Sequence, residues 1–319
     1  MASIYAPIQD ELRQVEDRLR SLAQNERPYL EPLLDYVMTN GGKRVRPAIT
    51  LLAADFYDHQ PENPITMAAA VELLHVATLI HDDTVDNSDL RRGKATVSSL
   101  YGQHVAVLFG DYVFATSATF VCDTGNVRVI RRFSETIMDL ASGQLIEYFS
   151  AFDAEQARKL YDERIYRKTA SLFQTSAETG AILGGAPEPQ IQALKYYGHN
   201  IGMAFQIMDD LLDVQGSAQE MGKPVGNDLL QGVLTLPTIK LLELYPKDNP
   251  VLDMFKDREQ HGKLQQALDM INDSSIIEDC YAVIRQYCDT ASQALEVLPD
   301  CAARRSLLDI CCYTRERRH

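Results

Sequence analysis

Residues 68–85 read Ala68-Ala69-Ala70-Val71-Glu72-Leu73-Leu74-His75-Val76-Ala77-Thr78-Leu79-Ile80-His81-Asp82-Asp83-Thr84-Val85. The stretch is apolar over most of its length and holds no glycine or proline, so it predicts one long helix. The helix ends in crowded negative charge, Asp82-Asp83-Thr84-Val85-Asp86. Outward from it, helical periodicity continues. Ile8, Leu12, Val15 and Leu19 recur at three-to-four spacing. A second helix over 29–38 stops at Asn40-Gly41-Gly42, and Pro47 is placed to open the next. Residues 104–121, 127–149, 172–183 and 197–214 predict further long helices, with breakers at 60–64, 184–189, 222–232 and 247–250. Alternating strand patterns are nearly absent. The expectation is an all-α fold: one domain over 1–319, with a central bundle of long helices.

Composition bounds the function. The chain has 319 residues, 45% of them hydrophobic, and a formal net charge of −14. Nucleic acid is a poor partner for such a surface, because backbone phosphate demands a basic face. The six cysteines, Cys122, Cys280, Cys288, Cys301, Cys311 and Cys312, form no C-x-x-C pair, which removes zinc-ribbon and thioredoxin readings. Reduced thiols and a cytoplasmic location are expected. Residues 1–30 lack a basic-then-apolar signal pattern. The longest apolar stretches are interrupted by Glu72 and His75 or by Asp111, so the expectation is a soluble chain with no membrane span.

The acidic end of the opening helix has an echo. Ile80-His81-Asp82-Asp83-Thr84-Val85-Asp86 resembles Ile207-Met208-Asp209-Asp210-Leu211-Leu212-Asp213. On a helix, Asp82 shares a face with Asp86, and Asp209 with Asp213. Like charges at that spacing destabilise a helix, and carboxylates at the end of an apolar helix need a cation. Hard oxygen donors suit Mg²⁺, which takes carboxylates together with substrate phosphate. One such cluster could be a solvated helix end; two of the same spacing favour a site for several Mg²⁺ ions that hold a diphosphate. Donors for that diphosphate are at hand. Gly41-Gly42-Lys43-Arg44-Val45-Arg46-Pro47 sets three cations at a helix start, and Arg91-Arg92-Gly93 follows the first cluster. Lys168-Thr169 and Gly222-Lys223-Pro224 add further candidates. Arg164 and Arg167 are expected on a solvated helix face. His75 lies two turns before Asp82 on roughly its face, whereas His81 is expected to be structural.

These pieces, in this order, resemble the trans-isoprenyl diphosphate synthase family. The motifs cover residues 35–240 and include Glu72-Leu-Leu-His75 and Gln206-x-x-Asp209-Asp210-x-x-Asp213. The resemblance implies the isoprenoid synthase fold, a single-domain antiparallel helical bundle around a deep central cavity, usually a homodimer, and condensation of isopentenyl diphosphate with an allylic diphosphate. It implies that Lys43, Arg46, His75 and Arg92 bind isopentenyl diphosphate. Asp82, Asp86 and Asp209 would ligate Mg²⁺, with Asp83, Asp210 and Asp213 as direct ligands or their support. Arg91, Lys168 and Lys223 would contact the allylic diphosphate, and Thr169 and Gln206 would line the reacting carbons. One departure stands out: many members carry Gly-Lys-x-Thr-Leu-Pro after the second cluster, and here Val233 takes the lysine's place.

Product length in the family depends on the cavity wall beneath the first cluster. Ala77, with Thr78 and Leu74, occupies that wall, where short-chain farnesyl synthases carry an aromatic plug. Ala77 plugs nothing, so a product longer than geranylgeranyl diphosphate is expected. Rival readings are a short-chain synthase, a class I terpene cyclase, and the catalytic subunit of a heteromeric synthase. A cyclase would have no use for an isopentenyl diphosphate subsite, and the chain has no tryptophan to line its pocket. The C-terminal Thr314-Arg315-Glu316-Arg317-Arg318-His319 is expected to be a frayed solvated tail, with a lid over the diphosphates as the alternative.

Overall fold

A computed structural model describes residues 3–24, 28–39, 42–215, 225–257 and 262–317. Their regular structure is almost wholly helical. The helices are α1 (Gln9–Gln24), α2 (Glu31–Thr39), α3 (Val45–Ala54), α4 (Glu62–Val85), α5 (Val97–Tyr101), α6 (Gln103–Asp123), α7 (Val127–Ser150) and α8 (Ala154–Ile165). They continue with α9 (Ser171–Leu183), α10 (Glu188–Gln215), α11 (Asn227–Leu230), α12 (Leu236–Leu244), α13 (Pro250–Lys256), α14 (Gly262–Asn272), α15 (Ile276–Ala294) and α16 (Ala302–Glu316). A single two-stranded hairpin pairs Leu90–Arg91 with Lys94–Ala95.

The chain groups into two compact units. One comprises Met1–Glu135, Leu172–Gly198 and Ala294–Ile310; the other comprises Thr136–Ser171, His199–Gln293 and Cys311–His319. In the first unit α4 is the core helix. From Pro64 to Ala77 every residue except His75 is buried, because the sequence offers almost no polar side chain to face water. It packs against α1, α3 and α6. The approach of α6 is close because of Gly110: a Cβ there would lie 2.3 Å from Nε2 of His81. Truncating a fully buried side chain such as Leu73 to alanine would cost about 2–5 kcal/mol. In the second unit Ile207, Met208 and Leu211 of α10 are buried, as are Ile239, Ile271 and Ile284.

One expectation needs correcting. Two helices are long and apolar enough to cross a membrane by length and composition, Glu62–Val85 and Gln103–Asp123. Single charges such as Glu72 and Asp111 do not lower the mean hydropathy of an 18-residue window below that mark. Over those windows α4 is 78% buried inside the fold and α6 33%. The first is thus the apolar core of a globular unit.

Candidate active site

The first aspartate cluster closes α4. The Asp86 N–H donates to the Asp82 carbonyl at 2.8 Å, so the helical turn runs through the cluster. The C-terminal end of a helix carries partial negative charge, which is the wrong place for three carboxylates unless a cation joins them. Asp82 and Asp86 are half-buried, while Asp83 is buried. Asp83 is also held: Arg91 Nε lies 2.9 and 2.8 Å from its two oxygens. Asp83 is thus engaged by Arg91, whereas Asp82 and Asp86 keep partial exposure. The hairpin turn that follows is Arg92-Gly93, with φ of 53° and 74°. Positive φ at both central residues is the mark of a type I′ hairpin turn, and the turn keeps Arg91 and Arg92 close to the cluster that precedes them.

A cationic corner forms in the same unit. Lys43 and Arg44 precede α3, and the Tyr5 hydroxyl donates to the Lys43 carbonyl at 2.9 Å. The Arg46 guanidinium sits 4.4 Å from the centre of the Phe173 ring. Arg92 abuts the Gly42 backbone, where a Cβ would fall 2.9 Å from its Nη1. His75 stands among them. Burial first, then the charges of Arg46, Arg92, Arg91 and Arg44, hold its pKa well below the usual histidine value. A neutral imidazole surrounded by guanidinium groups is a ready partner for an anion. The structure thus brings Arg46, His75 and Arg92 together, as expected; the Lys43 side chain is exposed beside them.

The second unit carries the second aspartate cluster and Lys168-Thr169. A π-helical turn, Tyr166–Ala170, joins α8 to α9 and presents Lys168 and Thr169. Such bulges re-aim side chains within a helix and recur at functional sites. Gly143 of α7 lets this turn approach, since a Cβ there would be 2.7 Å from the Lys168 nitrogen. Thr169 Oγ1 donates to Gln206 Oε1 at 2.5 Å, and Gln206 Nε2 donates to Asp210 Oδ1 at 2.7 Å. The Tyr161 hydroxyl donates to Asp210 Oδ2 at 2.7 Å. Burial outweighs these donors and pushes Asp210 up to about 6. Lys168 Nζ pairs with Glu147 Oε1 at 2.5 Å.

Asp209 is the more open member of the second cluster. Arg317 Nη1 donates to its Oδ1 at 2.6 Å, and the guanidinium lies 4.6 Å from the Phe205 ring centre. Arg317 is therefore docked rather than frayed, and the expected solvated tail is corrected to this extent. Arg318 and His319 lie outside the described residues, as do Gly41 and Gly222-Lys223-Pro224. Asp213 is buried, and the Asp228 N–H points to its Oδ2 at 3.3 Å. Burial, then the charges of Asp210 and Glu147, raise Asp228 to about 7. Arg164 corrects a second expectation. It is buried, donates to the Leu234 carbonyl at 2.8 Å and lies 3.6 Å from Glu147. Arg167 is likewise engaged, with Asp139 and Glu163, each at 2.8 Å.

Tyr161, Glu147 and Asp228 had no signal in the sequence reading, since each is defined by a partner distant along the chain. Val233 is buried. Below the first cluster, Leu74 and Ala77 are buried, and Thr78 donates to the His75 carbonyl at 2.8 Å. His81 has the structural role expected: its Nε2 is 3.4 Å from Asp111 Oδ1 on α6. Among the described residues, no group of three or more His, Cys, Asp or Glu side chains converges as a ready-made metal site. The donor set still fits Mg²⁺, which binds through one or two carboxylates and completes its shell with phosphate oxygens and water.

An all-α chain with paired aspartate clusters and a guanidinium-ringed histidine defines a diphosphate-handling enzyme, and the chain belongs to the polyprenyl synthetase family, whose model matches residues 27–271. Among its relatives, a prenyl transferase of Synechocystis sp. is 37% identical over 320 residues, with 99% of this chain and 98% of the relative covered. Heptaprenyl diphosphate synthase component 2 of Geobacillus stearothermophilus is 35% identical, with 99% of each covered. The crystal structure of heptaprenyl diphosphate synthase from Staphylococcus aureus superposes with a TM-score of 0.93 at 35% identity, covering 98% of this chain and 99% of that one.

Proposed function

We propose that this chain is a Mg²⁺-dependent trans-polyprenyl diphosphate synthase that extends an allylic diphosphate with isopentenyl diphosphate to a product longer than geranylgeranyl diphosphate. The observation that carries this reading is the placement of both aspartate clusters toward the C-terminal ends of long helices, α4 and α10, where the helix dipole opposes them. Carboxylates so placed are costly without cations, and cations so held serve to bind a polyanion.

Asp82, Asp86 and Asp209 would hold the metal, with Asp83, Asp210 and Asp213 fixing the geometry. Bound metal supplies charge neutralisation to the departing diphosphate. Arg91, Lys168 and Lys223 add cationic contacts to that group. Lys43, Arg46, His75 and Arg92 orient isopentenyl diphosphate. The allylic C–O bond breaks, and the electron pair leaves with the diphosphate. The double bond of isopentenyl diphosphate forms a carbon–carbon bond to the allylic cation, and the resulting cation loses a proton to the departed diphosphate. Thr169 and Gln206, neutral dipoles locked to one another, stabilise the cation without capturing it. Ala77, Thr78 and Leu74 leave room for the growing chain.

We place the enzyme in the cytoplasm, as one catalytic domain working as a homodimer. Support for the dimer is the exposure of the apolar side chains Val105, Val107 and Leu108 on α6. A second reading, a catalytic subunit that needs a different partner, is favoured by a relative's being named component 2 of its synthase. Purified protein assayed alone separates the two: elongation without additions supports the first. Within that assay Asp82→Ala should lower turnover by about 10²–10³-fold, the equivalent of several kcal/mol of lost charge stabilisation. Full activity in that variant contradicts the assignment.

A further inference from the structure

Arg44 is the middle cation of the Lys43-Arg44-Val45-Arg46 run, and the substrate assignment leaves it without a task. Its surroundings differ from those of its neighbours. The side chain is 7% exposed, in a protein whose Lys43 is exposed and whose Arg46 is half-buried. The backbone is left-handed, φ 53° and ψ 34°, at the residue that precedes α3. That conformation is disfavoured for a side chain larger than glycine's. The side chain is nonetheless buried. There Nη1 donates to Glu72 Oε1 at 2.5 Å and Nε to Glu16 Oε1 at 2.5 Å. Nη2 reaches Glu16 Oε2 at 3.3 Å and the Met38 carbonyl at 3.4 Å. Three elements therefore meet on one guanidinium: Glu16 from α1, Met38 from α2, and Glu72 from α4.

Glu72 is one helical turn from His75. The fork of Arg44 thus ties the loop that carries Lys43 and Arg46 to the helix that carries His75. Glu16 and Glu72 both pair with it, so much of its charge is balanced within the fold. We propose that Arg44 is a positioning residue: with Glu72 and Glu16 it fixes the distance between the Lys43–Arg46 loop and His75, and through that distance sets the affinity for the homoallylic diphosphate. The inference rests on the reading of this corner as the isopentenyl diphosphate subsite.

Charge and position predict opposite signs at Glu72. Glu72→Gln removes a buried negative charge beneath an anion site, so electrostatics alone would tighten diphosphate binding. Loss of positioning would weaken it. The experiment compares wild type with Arg44→Lys, Glu72→Gln and Glu16→Gln by steady-state kinetics against each substrate in turn. A calorimetric titration of inorganic diphosphate into each protein accompanies the kinetics. The expected result for Arg44→Lys and Glu72→Gln is a KM for isopentenyl diphosphate raised about tenfold, since lysine cannot reproduce the fork. The KM for the allylic primer should stay within about twofold. Glu16→Gln, on a residue one-quarter exposed, should give the same split in smaller measure. Unchanged KM values with only a lower active fraction or melting temperature would overturn the proposal, as would tighter diphosphate binding by Glu72→Gln. If the two buried variants do not fold, Glu16→Gln decides, and an unaltered KM ratio there overturns it. A wild type with no elongation activity would refute the functional reading instead, and the diphosphate isotherms would then decide the positioning claim alone.

Discussion

Replacing Arg317 with glutamine removes the cation that rests on Asp209. The two charges meet at 2.6 Å, with the arginine side chain 17% exposed and the aspartate 39%. Unit charges about 4 Å apart attract by about 4 kcal/mol at the effective dielectric of a protein surface. Exposure and side-chain entropy reduce the net value to about 1 kcal/mol. A divalent ion that uses Asp209 has to displace this pair, so the variant should bind the ion more tightly by roughly fivefold. Mn²⁺ gives a direct reading, because the free ion is counted by electron paramagnetic resonance as protein is titrated. The gap should narrow as salt rises, since the lost pair is screened. Arg315→Gln is the control: its partner is Asp289, and it should leave Mn²⁺ affinity unchanged. Equal or weaker Mn²⁺ binding by Arg317→Gln would refute the view that the tail competes with the metal.

Two further outcomes follow from the buried carboxyls and the cavity wall. Asp210 and Asp228 titrate at about 6 and about 7, above the 3.8 of an unperturbed aspartate. With metal chelated, the folded state then holds more protons than the unfolded state between roughly pH 4 and 7, and stability falls as pH rises through that window. Asp228→Asn should therefore melt higher than wild type at pH 7.5, with the gap closing toward pH 5; a gap that widens on acidification contradicts the assignment. Ala77→Phe should shorten the product distribution, read by chromatography of the dephosphorylated alcohols, and unaltered lengths would remove Ala77 from the specificity wall.

How much of this was legible in the chain depends on distance along it. The i, i+4 aspartates and the long apolar run before Asp82 are local patterns, and both appear where the sequence placed them. The cationic corner was half legible: Lys43 and Arg92 are cations beside glycines, Arg46 opens a helix before Pro47, and His75 shares a helix with the first cluster, but nothing local separates Arg44 from the other cations. What sets it apart is a left-handed backbone and partners 28 residues away on either side. Arg164 was misplaced for the same reason, because a charged residue with an unseen backbone acceptor 70 residues on reads as solvent-facing. Tyr161 meets Asp210 across 49 residues, and Arg317 meets Asp209 across 108. The π-helical turn under Lys168 and Thr169 has no compositional signature; it is set by how closely Gly143 admits it. In α6 the single charge of Asp111 interrupts the apolar run locally, yet it leaves the average over 18 residues at membrane-like hydropathy.

The central claim is that this chain extends an allylic diphosphate with isopentenyl units to a long product. It is tested by incubating the purified protein with Mg²⁺, isopentenyl diphosphate and farnesyl diphosphate and separating the products by chain length. The expected products are longer than geranylgeranyl diphosphate and form only while Mg²⁺ is present. No elongation, or elongation that ends at geranylgeranyl diphosphate, would contradict it.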